Sequence, residues 1–395
     1  MNIASLSKTA FTRDHPFAKA TGYYMAFVAL GLFGASMGPT LPGLAQHTGS
    51  KLSEISFLFT ARALGYLLGS LISGRLYDRF PGHQVIAGVL LVMAIMMAVV
   101  PVVPILWLLA LVLLALGVGE GGLDVGGNTL LVWVYGDKVG PYMNALHFFF
   151  GLGAFISPLV VAFAIERSGD ITLAYWTLAL LMLPAFLWIG RLPSPRPMVA
   201  VEAHRTGNAN RTLLALLVLS FFVYVGAELS FGGWIYTYAV KRGLGTVTSA
   251  AFLTSVFWGA LTLGRLLSIP LAVRFKPQTI LLADLLGCLA AMAVILIWPD
   301  SVVALWIGTF GAGFAMASIF PTMISFAERY MTITGQITSL FLAGSSLGSM
   351  TLPWLIGQLF EPVGPSVTMI MITISLVIEL MLYGLIRLYA ARRQK

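Results

Sequence analysis

The sequence predicts an all-α integral membrane fold, twelve transmembrane helices arranged as two pseudo-symmetric six-helix bundles, and three observations predict it. Of 395 residues, 58% are hydrophobic and only 10% charged, too little charge to cover a soluble surface. The apolar residues gather into twelve runs of about 20 residues or more, the length a helix needs to cross roughly 30 Å of hydrocarbon. One long polar stretch, Arg191 to Arg211, with three prolines and four arginines, divides those runs six and six.

In chain order, residues 1–19 carry Lys8, Arg13 and Lys19 without an apolar core and read as a polar tail rather than a cleaved leader. Spans are then expected near 20–44, 53–77, 84–102, 104–136, 142–165 and 171–190. Together with the tail they form an N-terminal bundle, 1–190. The stretch 191–211 reads as a flexible basic linker, since proline and polar residues cannot continue a helix. The second set falls near 212–240, 247–273, 278–299, 301–329, 334–360 and 365–389, within a C-terminal bundle, 212–395. Pro321 is expected to kink the tenth span, and Pro158 and Pro353 the fifth and eleventh, because proline lacks the N–H that would bond the carbonyl four residues back.

Sidedness follows from the loops, because Lys and Arg resist translocation. With both termini cytoplasmic, Lys51, Arg167, Lys241 and Arg242 fall outside, Arg62 and Arg265 lie within spans, and the remaining seventeen of 23 basic residues face the cytoplasm. The formal charge of +8 is therefore spread over helix ends, and no nucleic-acid face is expected. The lone Cys288 has no disulfide partner. The halves also resemble each other. A shift of 195 residues lays Gly69–Pro81 over Gly264–Lys276, matching Gly69, Leu71, Ser73, Arg79 and Phe80. Duplicated halves around a midplane site are what alternating access requires.

Between the second and third spans the chain reads GRLYDRFPGHQ, in which Gly74, Asp78, Arg79 and Gly82 fit the signature loop of the major facilitator superfamily; His83 and Gln84 replace its basic pair. Four further stretches, GGLDVGGN (121–128), NALHFFFGLGAFISPL (144–159), YVGAELSFGGWIYTY (224–238) and SIFPTM (318–323), resemble the fucose permease and sodium-dependent glucose transporter branch of that superfamily. The resemblance covers nearly the whole chain. It implies import of a sugar or similar polyol coupled to protons or sodium, and a gating role for Gly74, Asp78 and Arg79. A latch is physically reasonable, because Asp78 can pair with a cation or a helix end in one conformation and release it in the other. In the fucose-permease pattern the fourth-span acid is a Glu; here Asp124 stands in its place, a shorter acid.

Charges held within a span cost roughly 2.5–3.5 kcal/mol each on insertion scales, so each is a functional candidate. Glu120, Asp124 and Asn128 recur every four residues, forming one polar stripe in a glycine-rich setting. Two carboxylates so placed resist double ionisation, which suits one of them to carry a proton; with Asn128 the same oxygens suit sodium. Arg62, roughly 14 Å into its span, needs a counter-ion, and Glu120 or Asp124 matches its depth. Ion coupling is thus assigned to Asp124, Glu120 and Arg62. Glu228, between Gly226 and the Gly232–Gly233 pair, is expected at a local break in the seventh span. Sugars are held by hydrogen bonds and by packing of C–H faces on rings, so Glu228, Tyr224, Trp234, Asn128, Asn144 and His147 are the substrate-binding candidates. Tyr238 reads as an interfacial ring, Arg265 as a structural pair or carbonyl contact, and Asp284 and Glu379 as snorkelling acids.

The sequence thus points to a cation-coupled sugar symporter, with proton-coupled export of drugs or metabolites as the alternative. A non-transporting sensor would need an appended domain, and an enzyme a phosphate loop or nucleophile elbow; neither motif occurs. The expected partners are a small solute, H⁺ or Na⁺, and the lipid bilayer, with no cofactor and no metal centre. A monomer in the plasma membrane, a bacterial inner membrane, is the expected setting.

Overall fold

The computed structural model describes residues 15–196 and 210–393. Most of the tail, including Lys8 and Arg13, and linker residues 197–209, including Arg205, lie outside the described residues, as does Lys395. Among the described residues all the regular structure is helical. Eleven of those helices are long and apolar enough to cross a membrane, and one bent pair, Pro16–Gly34 and Met37–Thr48, taken as a single span, makes twelve. Spans 2 to 6 are Leu52–Arg79, Gly82–Val102, Leu106–Lys138, Gly140–Ser168 and Thr172–Ile189. Spans 7 to 12 are Arg211–Lys241, Val247–Arg274, Pro277–Ile297, Val302–Glu328, Gln336–Val363 and Val367–Ala390.

Polar punctuation sets the helix ends. Asn210 accepts from the amides of Thr212 and Leu213, and Thr246, Ser301 and Thr334 each cap the amide three residues on. Gly49, Gly169, Gly243 and Gly364 take positive φ where spans 1, 5, 7 and 11 end. With an even number of spans, the start of span 1 and the end of span 12 lie on one face of the bundle, here the terminal face; those four glycines mark the opposite, far face.

Span 2 is interrupted at Ser56, and spans 1 and 10 are interrupted four residues before a proline. Span 1 bends by 47° between Gly34 and Met37, ahead of Pro39, whose missing N–H leaves the Ala35 carbonyl without its helical donor. The Ser36 and Thr40 hydroxyls bond the carbonyls of Phe33 and Ser36 at 2.8 and 2.9 Å, keeping the break satisfied in an apolar setting. Span 10 breaks between Met316 and Ile319, ahead of Pro321. Span 7, by contrast, runs unbroken from Arg211 to Lys241. Its glycines serve close approach instead: a methyl on Gly226 would lie 3.0 Å from the Gly348 carbonyl of span 11, and one on Gly233 would lie 2.7 Å from the Phe59 ring of span 2.

Spans 2 and 4 pack with backbones in contact. Added methyls on Gly65 and Gly69 would fall on the carbonyls of Leu114 and Val118, and on Gly117 and Gly121 on those of Arg62 and Tyr66. Two glycines one turn apart on each helix therefore bring the polar stripe of span 4 against span 2, where Arg62 and Tyr66 are also one turn apart.

At the far face the two sets of six spans meet. Thr60 donates to the Met350 carbonyl at 2.9 Å, Gln358 to the Ser53 carbonyl at 2.7 Å, and the Leu52 amide to the Glu361 carboxylate at 3.2 Å. Gly38 in span 1 abuts the Gly232 carbonyl, and Phe59 lies against Trp234 with ring centroids 5.9 Å apart.

Candidate functional site

Beneath that seal a cavity of about 800 Å³ runs between the halves towards the terminal face. Its inner end is lined by Gly34, Met37, Phe59 and Glu120; near its mouth stand Ala272, Phe275, Pro277 and Ser325. Asp78 and Arg79 are exposed, with no ion pair among the described residues, and nothing lies within 4 Å of where a side chain on Gly74 would begin. His83 is turned inward, its Nε2 2.7 Å from the Tyr23 hydroxyl and its Nδ1 3.1 Å from the Leu192 carbonyl.

On the first-half wall Arg62 grips Glu120 with both arms of its fork, Nε to Oε2 at 2.9 Å and Nη2 to Oε1 at 2.5 Å. Its Nη1 donates to the Gly34 carbonyl at the break in span 1, 3.0 Å away, and its Cζ sits 4.7 Å above the Phe33 ring. A planar guanidinium held bidentately and stacked has few donors left for a solute. One turn along both helices, Tyr66 donates to Asp124 Oδ2 at 2.6 Å and Asn128 Nδ2 donates to its Oδ1 at 2.9 Å. Tyr66 lines the cavity, whereas Asp124 and Asn128 lie behind it. The predicted stripe is therefore present, and its first member alone, Glu120, faces the cavity. Asp124 has two neutral hydrogen-bond donors and no cation partner among the described residues.

The second-half wall repeats the scheme more loosely. Arg265 of span 8 approaches Glu228 of span 7 at 3.7 Å, and its Nε lies 3.4 Å from the Ala317 carbonyl, the carbonyl that Pro321 leaves without a helical donor. Each arginine thus joins a carboxylate to the carbonyls of a broken span. Tyr224 lies beside Glu228 but is buried, its hydroxyl donating to the Met316 carbonyl at 2.6 Å, so it supports the break rather than lining the cavity. Trp234 is likewise packed away at the far-face seal: its Nε1 donates to the Pro353 carbonyl at 3.0 Å and its ring stacks on Phe360. The reason is position, since residue 234 lies on the sealed stretch of span 7, beyond the inner end of the cavity. Tyr238 is also buried within the protein instead of facing lipid.

Asn144 and His147 of span 5 do line the cavity, and Arg265 is close enough to act electrostatically on His147. Arg265 makes the pair and carbonyl contact expected of it, but its place on the cavity wall, together with Trp258, a lesser candidate, and Tyr66, was not read from the pattern. The signal was available: Trp258, Thr262 and Arg265 share one helix face by spacing, and Tyr66 repeats Arg62 one turn on. The two acids expected to snorkel do not. Asp284 accepts from Ser318 at 2.5 Å, at the break in span 10, and Glu379 is fully buried, accepting from the Ser220 hydroxyl. Small polar residues on neighbouring spans give these acids partners inside the bundle, which hydropathy does not register.

Residues 23–353 match the family model described as Major Facilitator Superfamily. Among known proteins, the chain is 31% identical over 374 residues to sodium-dependent glucose transporter 1A of Mus musculus, covering 85% of this chain and 88% of that one. It is 32% identical over 355 residues to sodium-dependent glucose transporter 1 of Xenopus laevis, covering 82% and 72%. In three dimensions it is similar to a point mutant of the nucleoside transporter NupG, with a TM-score of 0.77 at 14% identity over 94% of this chain and 99% of that one. A D-xylose–proton symporter superposes with a TM-score of 0.75 at 15% identity, over 92% and 97%. Twelve spans around a cavity, a family model matched over most of the chain and relatives that are transporters agree: the chain belongs to the Major Facilitator Superfamily and is a multi-pass membrane transporter, not an enzyme.

Proposed function

We propose that this protein is a cation-coupled symporter that takes up a sugar or similar small polyol by alternating access. The observation that carries this reading is the cavity between two six-helix halves, 1–190 and 212–395, closed at the far face and lined by two guanidinium–carboxylate pairs. A volume of about 800 Å³ suits a solute of monosaccharide size. The names of its relatives, glucose transporters described as sodium-dependent, support the same solute class and a coupled ion. The terminal face is cytoplasmic, because it carries most of the basic loop residues, and the protein lies in the plasma membrane with its cavity open inward. Gly74, Asp78 and Arg79 form the cytoplasmic latch, which is released in this state.

Asp124 is the coupling residue in this reading. Glu120 is already neutralised by Arg62, whereas Asp124 is a carboxylate within a span whose partners are a phenol and an amide. A proton or sodium ion is the natural neutraliser of such a group. Through Tyr66, which touches both Asp124 and the cavity, ion occupancy reaches the solute site. In proteoliposomes, Asp124→Asn should retain solute exchange but lose accumulation driven by an imposed sodium or proton gradient, and whichever gradient drives the wild type identifies the ion. Unchanged accumulation in the variant would overturn the assignment.

A further inference from the structure

The two arginine–carboxylate pairs differ in a way that bears on where the solute is held. Arg62 has a donor committed on each of its three nitrogens, two to Glu120 and one to the Gly34 carbonyl. Arg265 makes one long contact to a carbonyl, at 3.4 Å, and stands 3.7 Å from Glu228, outside hydrogen-bond distance. Its side chain is 30% exposed, against 17% for Arg62. The second pair is therefore open, with unused donors on the guanidinium facing a carboxylate whose other neighbour is the Tyr224 hydroxyl and which keeps further acceptor capacity. A second observation lies two turns along the same face of span 8. Trp258 borders the cavity, and its indole N–H is buried without an acceptor among the described residues. A buried donor left unpaired is costly, which favours a state in which an acceptor reaches it.

Resting on the symporter reading above, we infer that the solute is held as a vicinal diol inserted between Arg265 and Glu228, with Trp258 supplying a third contact to a neighbouring oxygen. Two adjacent hydroxyls match the open pair: one donates its proton to the Glu228 carboxylate while the oxygen beside it accepts from the Arg265 guanidinium. A diol is neutral, as the wall is once Arg265 and Glu228 are counted together. Arg62 and Glu120 bound the opposite wall as a closed clamp. Arg265, Glu228 and Trp258 are thus the specificity-determining residues, and the chemistry they read is a pair of adjacent hydroxyls. Such a pair occurs in a hexose and in the ribose of a nucleoside.

The experiment measures exchange in proteoliposomes with D-glucose, 2-deoxy-D-glucose, uridine, 2′-deoxyuridine and 2′,3′-dideoxyuridine as probes. The wild type should exchange D-glucose or uridine, identifying which source of the diol is used. Removal of one diol hydroxyl should raise KM at least tenfold if it belongs to the recognised pair, and 2′,3′-dideoxyuridine should not be exchanged. Trp258→Phe, which keeps the ring and removes the N–H, should raise KM several-fold with little change in kcat. Arg265→Lys should raise KM at least tenfold, because a single ammonium cannot reproduce the fork. If the wild type exchanges D-glucose or uridine while both variants keep wild-type KM, or if the dideoxy probe is exchanged as well as uridine, the diol assignment is overturned and symport stands. If the wild type exchanges none of the probes, the sugar-symport reading itself fails, and this inference with it.

Discussion

The first-half wall is tied shut and the second-half wall is left open. Both halves place an arginine on their second span, 62 or 265, and both let it join a carboxylate to the carbonyls of a proline-broken helix. In the first half the carboxylate is on span 4 and the break on span 1; in the second they are on spans 7 and 10. The parts are the same, with the first and fourth spans of each half exchanging roles. What differs is tightness: two short contacts at 2.5 and 2.9 Å against one separation of 3.7 Å. A bidentate, ring-stacked pair fixes geometry, and an unclosed pair leaves capacity for a ligand, so similar components give one half a rigid wall and the other a receptive one.

The largest expected test of this contrast is on stability. Arg62→Gln strands Glu120 inside the bundle and breaks two short contacts, and should cost about 3–5 kcal/mol, whereas Arg265→Gln leaves an equally buried Glu228 but removes only a longer, unclosed contact, and should cost less, about 1–3 kcal/mol. Thermal unfolding of the purified detergent-solubilised variants measures both; equal losses would erase the distinction between the walls. A second, smaller effect probes what holds the tight pair in place. Gly121→Ala would push a methyl onto the Tyr66 carbonyl and should cost about 1–3 kcal/mol, while Gly88→Ala, where nothing lies within 4 Å, should be neutral or slightly stabilising. The same melting curves would disprove the backbone-contact argument if the two alanines behaved alike. The smallest effect is expected at Glu379. Glutamine there keeps an oxygen for the Ser220 hydroxyl and removes no ion pair, but buries an amide in place of an unpartnered oxygen, so Glu379→Gln should cost about 1 kcal/mol. A large loss would instead show that this acid holds a cation.

Much of the site was legible because membrane burial makes polar residues conspicuous. The stripe Glu120, Asp124, Asn128 and the depth of Arg62 followed from helical spacing and rise alone, and Asn144 and His147 reach the cavity. Tyr224 and Trp234 were drawn into the pocket because aromatic rings near a carboxylate resemble a sugar subsite; packing puts one against a broken-helix carbonyl and the other into the far-face seal. The break expected at Glu228 does not occur, since span 7 is one helix from Arg211 to Lys241; the breaks in spans 1 and 10 fall four residues before a proline, where a helical hydrogen bond is lost, although Pro158 and Pro353 sit within uninterrupted helices. Gly226, Gly232 and Gly233 are spent on contact between helices, a use that spacing along one helix cannot reveal.

By itself the sequence determined the apolar spans and the charges that lipid could not tolerate unpartnered, since both depend on length and composition alone. Tertiary structure decided which charges pair and how tightly, which of them face the cavity, and at which face the halves meet. Those outcomes depend on which helices become neighbours and how closely their glycine faces let them approach, and separations of a few tenths of an ångström to about one distinguish a closed ion pair from an open one.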